Sequence, residues 1–296
     1  MEMKQVSVIG GGIMGSGMAF RLLEAGHTVS LFVRNKERFY ESNFNIHKYK
    51  NSPKLSVVSN ILETFWSADL TILCLTTDDV VESAFTQVLN TNPNIILDTG
   101  TTSPDLTLKL NKIASDKNII FADSPMTGSK TAANEGQILF MLGGDAKLRN
   151  TLDFFFDVCG KSVVLCGSIS LGQKAKIALN LIQAGLLQVY MEGFYLAETS
   201  GISFEIFQLI VQNSAAASPL SNFKMDQIHK QDFSPHFALK NMFKDIQHAE
   251  REIKNHSLDL PMSALLKSIY EEGINKQLGN EDFSSLIKVL LAKNNS

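Results

Sequence analysis

Three glycines near the start of the chain have the spacing G-x-G-x-x-G, at Gly10, Gly12 and Gly15. An apolar run over residues 6–9 precedes them, and an amphipathic stretch that ends at Gly26 follows. In a strand–turn–helix unit, Gly10 allows a tight turn, Gly12 lets a pyrophosphate approach the backbone, and Gly15 lets the helix pack on the strand. The pattern predicts a dinucleotide whose phosphates lie on free amides at the helix start. The alternative is a glycine-rich turn with no ligand.

The residues after the second predicted strand bear on which dinucleotide is bound. Sites that prefer NAD usually place an acidic residue there, which bonds the ribose 2′-hydroxyl. This chain has Arg34, Asn35 and Lys36 instead, and Glu37 is expected to lie too far into the next segment for that role. The Arg34 guanidinium suits a 2′-phosphate. We therefore expect NADP(H) to be preferred over NAD(H); otherwise Arg34 and Lys36 belong to a solvated loop.

Lys176 and Asn180 lie four residues apart in a helical pattern. A lysine ammonium can bond a carbonyl oxygen and give up a proton as an alkoxide forms. An amide one turn along the same helix face can hold the lysine or the substrate oxygen. By periodicity alone, a solvated helix face is the better interpretation of the pair. The apolar neighbours Ala175, Ala178 and Leu179 favour a functional one.

Short apolar runs alternate with helical patterns through the first half of the chain, as in a parallel sheet covered by helices on both faces. The alternation predicts a doubly wound α/β (Rossmann) domain. The predicted strands are residues 6–9, 28–33, 70–75, 95–98, 119–122, 139–142 and 163–165.

A long helical pattern over residues 171–200 follows, with Gly201 placed to end it. The residues expected on one side of this helix are Ala175, Ala178, Leu179, Ile182, Leu186, Val189, Phe194 and Ala197. No convincing strand pattern occurs beyond it. We therefore expect two domains: residues 1–167, which bind the dinucleotide, and residues 168–296, which are all-helical, with the long helix joining them.

Composition excludes several other classes of protein. The net charge of −3 is not the footprint of a nucleic-acid-binding protein. Three cysteines without a C-x-x-C pair, and six histidines without H-E-x-x-H, indicate a reducing compartment and no metal site. No apolar run approaches about 20 residues, and no signal-peptide pattern is visible, so a cytoplasmic location without membrane association is expected.

Five segments, in order along the chain, resemble the β-hydroxyacid dehydrogenases, the family related to 3-hydroxyisobutyrate dehydrogenase. They are residues 8–15 (the glycine-rich start), 98–104 (D-x-S-T-x-x-P), 123–129 (D-A-P-V-S-G-G/S), 172–180 (G-x-x-x-K-x-x-x-N) and 237–245 (F-x-L-K-x-x-x-K-D). Gly100 stands where the family usually has serine, and Ser124 and Thr127 replace the usual alanine and serine. Residues 128–130, 135–137, 260–262 and 282–284 look most like the glyoxylate and succinic semialdehyde reductases.

The resemblance assigns a role to each of these segments. Catalysis falls to Lys176, as general acid and base, and to Asn180. The substrate would contact Thr101, Thr127, Gly128, Ser129, Phe237 and Asp245, with residues 127–129 expected in a loop after a strand. The cofactor would contact Gly10, Gly12, Ile13, Met14, Gly15, Arg34, Asn35, Leu75, Thr101 and Lys244. The resemblance also implies a homodimer or homotetramer.

The predicted reaction is NADPH-dependent reduction of a small aldehyde-bearing carboxylic acid, of the glyoxylate or succinic semialdehyde type, to the hydroxy acid. The residues do not choose among such aldehydes, tartronate and methylmalonate semialdehyde included. One alternative is imine reduction on the same fold, but those enzymes typically carry Asp or Tyr in place of the lysine. The other is a non-catalytic NADP-binding module, but family members without activity lack the lysine that this chain retains as Lys176.

Overall fold

The computed structural model describes residues 2–294, without the side chains of Ser42 and Phe44. The chain divides into two compact units between Lys176 and Ile177. We call them the α/β unit and the helical unit. The division falls inside the long helix, and the predicted domain boundary between residues 167 and 168 stays a prediction.

One sheet forms the centre of the α/β unit. Within residues 2–294 its strands are β1 (Gln5–Ile9), β2 (Thr28–Phe32), β3 (Leu55–Val58), β4 (Leu70–Leu73), β5 (Ile95–Asp98), β6 (Ile120–Asp123), β7 (Met126–Thr127), β8 (Ile138–Gly143) and β9 (Gly160–Gly167). Strands β3, β2, β1, β4, β5 and β6 lie side by side in that order and run parallel. All side chains of β4 and β5 are buried, as expected for strands covered on both faces. The predicted doubly wound fold is confirmed.

Helices connect and cover these strands. They are α1 (Ile13–Glu24), α2 (Lys36–Ser42), α3 (Phe44–His47), α4 (Asp78–Val88), α5 (Pro104–Ser115), α6 (Lys130–Glu135), α7 (Leu148–Thr151) and α8 (Asp153–Cys159), with 3₁₀ turns at Ile61–Glu63 and Leu89–Thr91. The strand order reverses between β1 and β4. Sheets of this kind bind ligands in the crevice outside the carboxyl ends of the strands at such a reversal. This is the edge at which the glycine-rich turn lies.

The far side of the sheet differs from the prediction. Strand β8 runs antiparallel to β6 and β7 and parallel to β9. The two-residue strand β7 contains Thr127, which pairs with Leu139, so the expectation that Thr127 lies in a loop is wrong. Strand β3 was also not predicted, because this edge strand exposes Ser56 and lacks a continuous apolar run.

The long helix α9 (Leu171–Thr199) confirms the predicted element, and Gly201 follows it with φ +87°. The predicted apolar side is wrong in part: Ala178, Ile182 and Val189 are exposed. The buried side carries Ile177, Asn180, Ala184, Leu187, Met191 and Phe194. Apolar residues surround much of this helix, so periodicity alone could not identify the side that packs.

Within residues 177–294, the helical unit contains the C-terminal part of α9 and five further helices. These are α10 (Phe204–Gln212), α11 (Pro219–His229), α12 (Leu239–Asn255), α13 (Pro261–Asn275) and α14 (Ile287–Asn294), with 3₁₀ turns at Leu278–Asn280 and Phe283–Leu286. Their core centres on Tyr270, which is fully buried. Apart from one isolated bridge between Ala238 and Asp282, the described part of this unit has no β structure. Within residues 2–294, each helix is too short or too polar to cross a bilayer.

A buried histidine lies between α1 and β2. His27 is 1% exposed, its Nδ1 accepts a hydrogen bond from the Lys4 amide at 3.3 Å, and its ring packs edge-on against Phe154. Burial lowers the pKa of His27 below its ordinary value. The folded α/β unit therefore holds this ring neutral at pH values where the unfolded chain takes up a proton.

We expect the free energy of unfolding to fall between pH 7.5 and pH 5, in part because of His27. The unfolded chain binds the proton near pH 6.5, and the folded chain does so only at lower pH, so stability is lost as the pH decreases. His27→Asn retains an acceptor for the Lys4 amide and does not titrate. Urea unfolding should show a smaller pH dependence in this variant; a dependence equal to that of the wild type would contradict the explanation.

Candidate active site

The glycine-rich turn lies between β1 and α1, at the carboxyl end of the sheet. Gly10 has φ +118°, and a Cβ atom there would lie 2.3 Å from the carbonyl oxygen of Cys74. A Cβ atom on Gly15 would lie 1.9 Å from the carbonyl oxygen of Gly10. A Cβ atom on Gly12, by contrast, would meet nothing within 4 Å. The fold itself requires Gly10 and Gly15, whereas Gly12 leaves space for an external group.

The first turn of α1 has the properties of an anion site. No side chain caps the helix at Gly12, and no acidic residue lies in its first turn. Its first amides therefore lack partners within the helix and carry the positive end of the helix dipole. Ile13 is 44% exposed beside them, and Met14 is half-buried. This open, uncapped helix start at the reversal of strand order fits the pyrophosphate of a dinucleotide.

Arg34 and Asn35 follow the carboxyl end of β2. Arg34 is exposed, and among residues 2–294 no carboxylate forms an ion pair with it. The side-chain oxygen of Asn35 accepts from the Arg38 amide at 2.9 Å and caps α2. This bond uses the Asn35 oxygen and leaves its amide group to donate. The guanidinium and this amide are thus two polar donors that the segment after β2 presents.

The ends of β4 and β5 come close together beside the glycine-rich turn. A Cβ atom on Gly100 would lie 2.5 Å from the carbonyl oxygen of Leu75, and the Leu75 side chain lies near Gly10. A serine at position 100, which the resemblance described above implies, would need this neighbouring backbone to move. The structure therefore brings the predicted cofactor residues Gly10 and Leu75 together, with half-buried Thr101 next to Gly100.

A buried carboxylate at the end of β6 holds the start of α9. One Asp123 oxygen accepts from the Ser170 amide and the other from the Gln173 amide, both at 2.7 Å. Burial raises the pKa of Asp123, and these hydrogen bonds oppose that shift. A carboxylate in this place also stabilises the positive end of the helix dipole. The first turn of α9 is thereby fastened to the sheet.

Gln173 makes a second connection from the same turn. Its side chain accepts from the Thr102 amide and donates to the Gly100 carbonyl, each at 3.1 Å. Asp98 supports this loop by accepting from the Gly100 amide at 3.0 Å and from the Thr102 hydroxyl at 2.8 Å. The loop after β5, which contains Thr101, is therefore held along the side of α9 that carries Gln173.

Lys176 lies three residues after Gln173, and hence on the same side of α9. It is 7% exposed, so the interpretation of this lysine as part of a solvated helix face is wrong. The first turn of α9 is bound to the end of β6 and to the loop after β5, and this turn fixes the position of Lys176 in the α/β unit.

The sequence prediction gave no role to Asp98, Asp123 or Gln173. A signal was present, because Asp98 and Asp123 each end an apolar strand, and a buried carboxylate needs donors. The amides that bind Asp123, however, lie 47 and 50 residues further along the chain. Only the packing of α9 against the sheet shows that they meet.

The segment predicted to bind the substrate carboxylate lies at the start of α6. Thr127 is half-buried in β7, and Gly128 and Ser129 are exposed. The Ser129 oxygen accepts from the Ala132 amide at 3.1 Å and caps α6. A hydroxyl that accepts in this way still has its proton to donate. Thr127 and Ser129 thus provide two hydroxyl groups two residues apart.

In the helical unit, three predicted site residues come together. Asn180 Nδ2 donates to Asp245 Oδ2 at 2.5 Å, and Lys244 Nζ lies 3.0 Å from Asp245 Oδ1. Asn180 and Asp245 are both 1% exposed. Because the carboxylate can only accept, it fixes the orientation of the Asn180 amide. Asn180 Oδ1 is buried, without a hydrogen-bond partner in the part of the chain that the structure describes, and is left as an acceptor.

Phe237 precedes α12 and is half-buried, with its ring edge-on to Phe283 at 6.2 Å.

In residues 2–294 no cluster of three or more His, Cys, Asp or Glu side chains could hold a metal ion. The absence of a metal site stays a prediction.

Family models match both parts of the chain. The model for the NAD binding domain of 6-phosphogluconate dehydrogenase matches residues 5–167. The model for the NAD-binding domain of NADP-dependent 3-hydroxyisobutyrate dehydrogenase matches residues 170–290. The chain therefore belongs to the β-hydroxyacid dehydrogenases related to 3-hydroxyisobutyrate dehydrogenase, and it is an NAD(P)-dependent oxidoreductase.

Similar proteins agree with this membership over nearly the whole chain. Glyoxylate/succinic semialdehyde reductase 1 of Arabidopsis thaliana is 27% identical, over 97% of this chain and 98% of the relative. The chloroplastic reductase 2 of the same plant is 28% identical, over 98% of this chain and 81% of the relative. The structure of Mycobacterium tuberculosis 3-hydroxyisobutyrate dehydrogenase with L-serine superposes with a TM-score of 0.84 at 23% identity, over 98% of this chain and 99% of that one. This last likeness confirms the fold.

The open space at Gly12 predicts opposite effects on stability and on cofactor binding. Gly12 occupies the N-cap of α1 with extended backbone, where serine is among the best caps. Gly12→Ser should therefore keep or slightly raise the free energy of unfolding of the apo protein. Its hydroxyl would occupy the amides that are expected to bind the pyrophosphate, so the Kd for NADPH should rise by about tenfold or more.

Gly15→Ala is the matched control, because its methyl group would overlap the Gly10 carbonyl oxygen. This variant should lose stability without cofactor. Urea unfolding and fluorescence titration with NADPH measure both quantities. Wild-type NADPH affinity in Gly12→Ser would contradict the phosphate site.

Proposed function

We propose that the protein uses NADPH to reduce a small aldehyde-bearing carboxylic acid, of the glyoxylate or succinic semialdehyde type, to the hydroxy acid. The observation that carries the proposal is a buried lysine, Lys176, on a helix turn that Asp123 and Gln173 hold against the sheet. An acid that must meet one carbonyl oxygen needs such a fixed position. The names of the two Arabidopsis relatives support this class of substrate.

NADPH, when bound, supplies the hydride. The amides at the start of α1 would hold its pyrophosphate, with Ile13, Met14 and Leu75 against it. Arg34 and Asn35 would bind the 2′-phosphate side, because the guanidinium has no carboxylate partner among the described residues. Thr101 and Lys244 complete the proposed cofactor contacts.

The remaining residues act on the substrate. Lys176 would bond the carbonyl oxygen and donate the proton that the developing alkoxide needs. Asn180, one helix turn further on, offers its oxygen as an acceptor to the ammonium or to the hydroxyl of the product. Thr127, Gly128 and Ser129 would bind the carboxylate through hydroxyl and amide donors. Phe237 and Asp245 would also contact the substrate.

We also propose that the chain forms a homodimer or homotetramer. Two consecutive helices of the helical unit expose apolar side chains. Among these side chains, Leu196 on α9 is 68% exposed and Leu209 on α10 is 61% exposed. Such surfaces are typical of protein–protein contacts. A cytoplasmic location stays a prediction.

Lys176→Ala should lower kcat by at least about 100-fold with the preferred aldehyde, from the usual size of general acid effects. Lys174→Ala is the matched control, since Lys174 is a half-buried lysine of the same helix with no proposed role. NADPH oxidation with glyoxylate, succinic semialdehyde and a cyclic imine measures the effect. Turnover of the imine alone would favour the imine reductase alternative, and NADPH binding without turnover would favour the non-catalytic one.

Arg34→Asp should weaken NADPH binding far more than NADH binding. The variant removes the donor for a 2′-phosphate and places a carboxylate where NAD-preferring sites have one. We expect the Kd for NADPH to rise by roughly ten- to 100-fold, the usual worth of a charge-assisted bond. NADH serves as the internal reference, and equal losses for both cofactors would exclude Arg34 as the selective residue.

A further inference from the structure

The helical unit contains a buried ion pair that the proposed chemistry does not use. Lys224 Nζ lies 2.7 Å from Asp282 Oδ1, with side chains 4% and 0% exposed, and Lys224 also donates to Gln227 at 3.0 Å. Removing two charges from water is costly, and an apolar pair of similar size is often as stable. Stability alone is therefore a weak reason for this pair, and the atoms that it holds give a better one.

The Asp282 carboxylate accepts from four donors. Oδ1 accepts from Lys224 and from the Ser284 amide, and Oδ2 accepts from the amides of His236 and Phe237, each amide bond at 3.0 Å. Lys224 supplies the positive charge that compensates this buried carboxylate. Without it, the carboxylate would keep its three amide bonds but lose its counterion.

The backbone of Phe237 is bound on both sides by the same segment. Its amide donates to Asp282 Oδ2, and its carbonyl oxygen accepts from the Phe283 amide at 3.0 Å. The next residue, Ala238, forms the isolated bridge with Asp282. Phe237 therefore cannot shift along this segment without breaking the bonds that surround Asp282.

The ion pair also reaches the Phe237 side chain. The Lys224 ammonium lies over the Phe283 ring, 4.7 Å from its centroid, and the Phe283 ring packs edge-on against Phe237 at 6.2 Å. Lys224 thus contacts the Asp282 carboxylate, which binds the Phe237 backbone. It also contacts the Phe283 ring, which packs against the Phe237 ring.

We infer that Lys224 and Asp282 are positioning residues that hold Phe237 as a rigid wall for the substrate and so set which aldehyde the enzyme prefers. The inference rests on the proposed function, in which Phe237 contacts the substrate. The pair lies apart in sequence from Lys176 and from the glycine-rich turn. Loosening Phe237 should change how well the aldehyde binds and leave the donation of the proton largely intact.

The test is a double-mutant cycle between Lys224→Met and Phe237→Leu, with steady-state kinetics for glyoxylate and succinic semialdehyde. Lys224→Met should raise the KM for the preferred aldehyde about tenfold, change kcat less than about threefold, and alter the ratio of kcat/KM between the two aldehydes. The KM for NADPH should not change. In the Phe237→Leu background the same substitution should have little further effect on the aldehyde KM, because residues that act through one another are not additive.

Two further variants keep a loss of folding from obscuring the result. Lys224→Arg keeps a positive charge beside Asp282 and should retain much of the thermal stability and the aldehyde KM of the wild type, whereas Lys224→Met should lose both. Lys230→Met removes an exposed lysine directly after the same helix and should behave as wild type.

The outcomes separate the inference from the proposed function. An active wild type whose aldehyde KM is unchanged by Lys224→Met, or changed equally with and without Phe237, would overturn the positioning role and leave the proposed function standing. A wild type that binds NADPH and reduces neither aldehyde would overturn both.

Discussion

The geometry of the α/β unit depends on the hydrogen bonds between the Asp123 carboxylate and the start of α9. A helix can rotate and slide on a sheet until something fixes its first turn. Here a strand-end carboxylate binds two amides of that turn, and Gln173 binds the loop after the neighbouring strand. The direction in which Lys176 projects follows from these few bonds. Because they are buried, water does not compete for them, and the position of the ammonium is set before any substrate arrives.

Carboxylates recur in this structure as organisers of backbone and amide groups. Asp98 holds the loop after β5, Asp245 sets the orientation of the Asn180 amide, and Asp282 holds the backbone before α12. Each of these carboxylates is buried, and each accepts hydrogen bonds from donors of the protein. In the proposed reaction neither these three carboxylates nor Asp123 gives up or takes a proton. The proposed acid is Lys176, and Asp123 binds the helix turn that precedes it.

The glycines of the glycine-rich turn differ in role: two are required for folding, and one leaves space for the proposed cofactor. Gly10 and Gly15 are packed against backbone oxygens, so the crossing of β1 and α1 excludes any side chain there. Gly12 has no such neighbour, and its missing side chain leaves the helix start open. One motif therefore allows the close packing of β1 and α1 and also leaves the start of α1 open and uncapped. A side chain is excluded at Gly100 for the same reason, because a Cβ atom there would lie 2.5 Å from the carbonyl oxygen of Leu75.

The sequence by itself determined the elements whose signal is local. Apolar runs identified most strands of the sheet, glycine spacing identified the turn between β1 and α1, and a proline-free helical pattern ending at Gly201 identified α9. It could not determine which side of α9 is buried, since that helix is apolar on several sides, nor β3 and β7, which are too short or too exposed to have a period. It also could not pair Asp123 with Gln173, or Asn180 with Asp245, because contacts between residues 50 and 65 positions apart arise from packing. Only the tertiary structure shows these two contacts, and they position Lys176 and Asn180, which the sequence motifs had indicated.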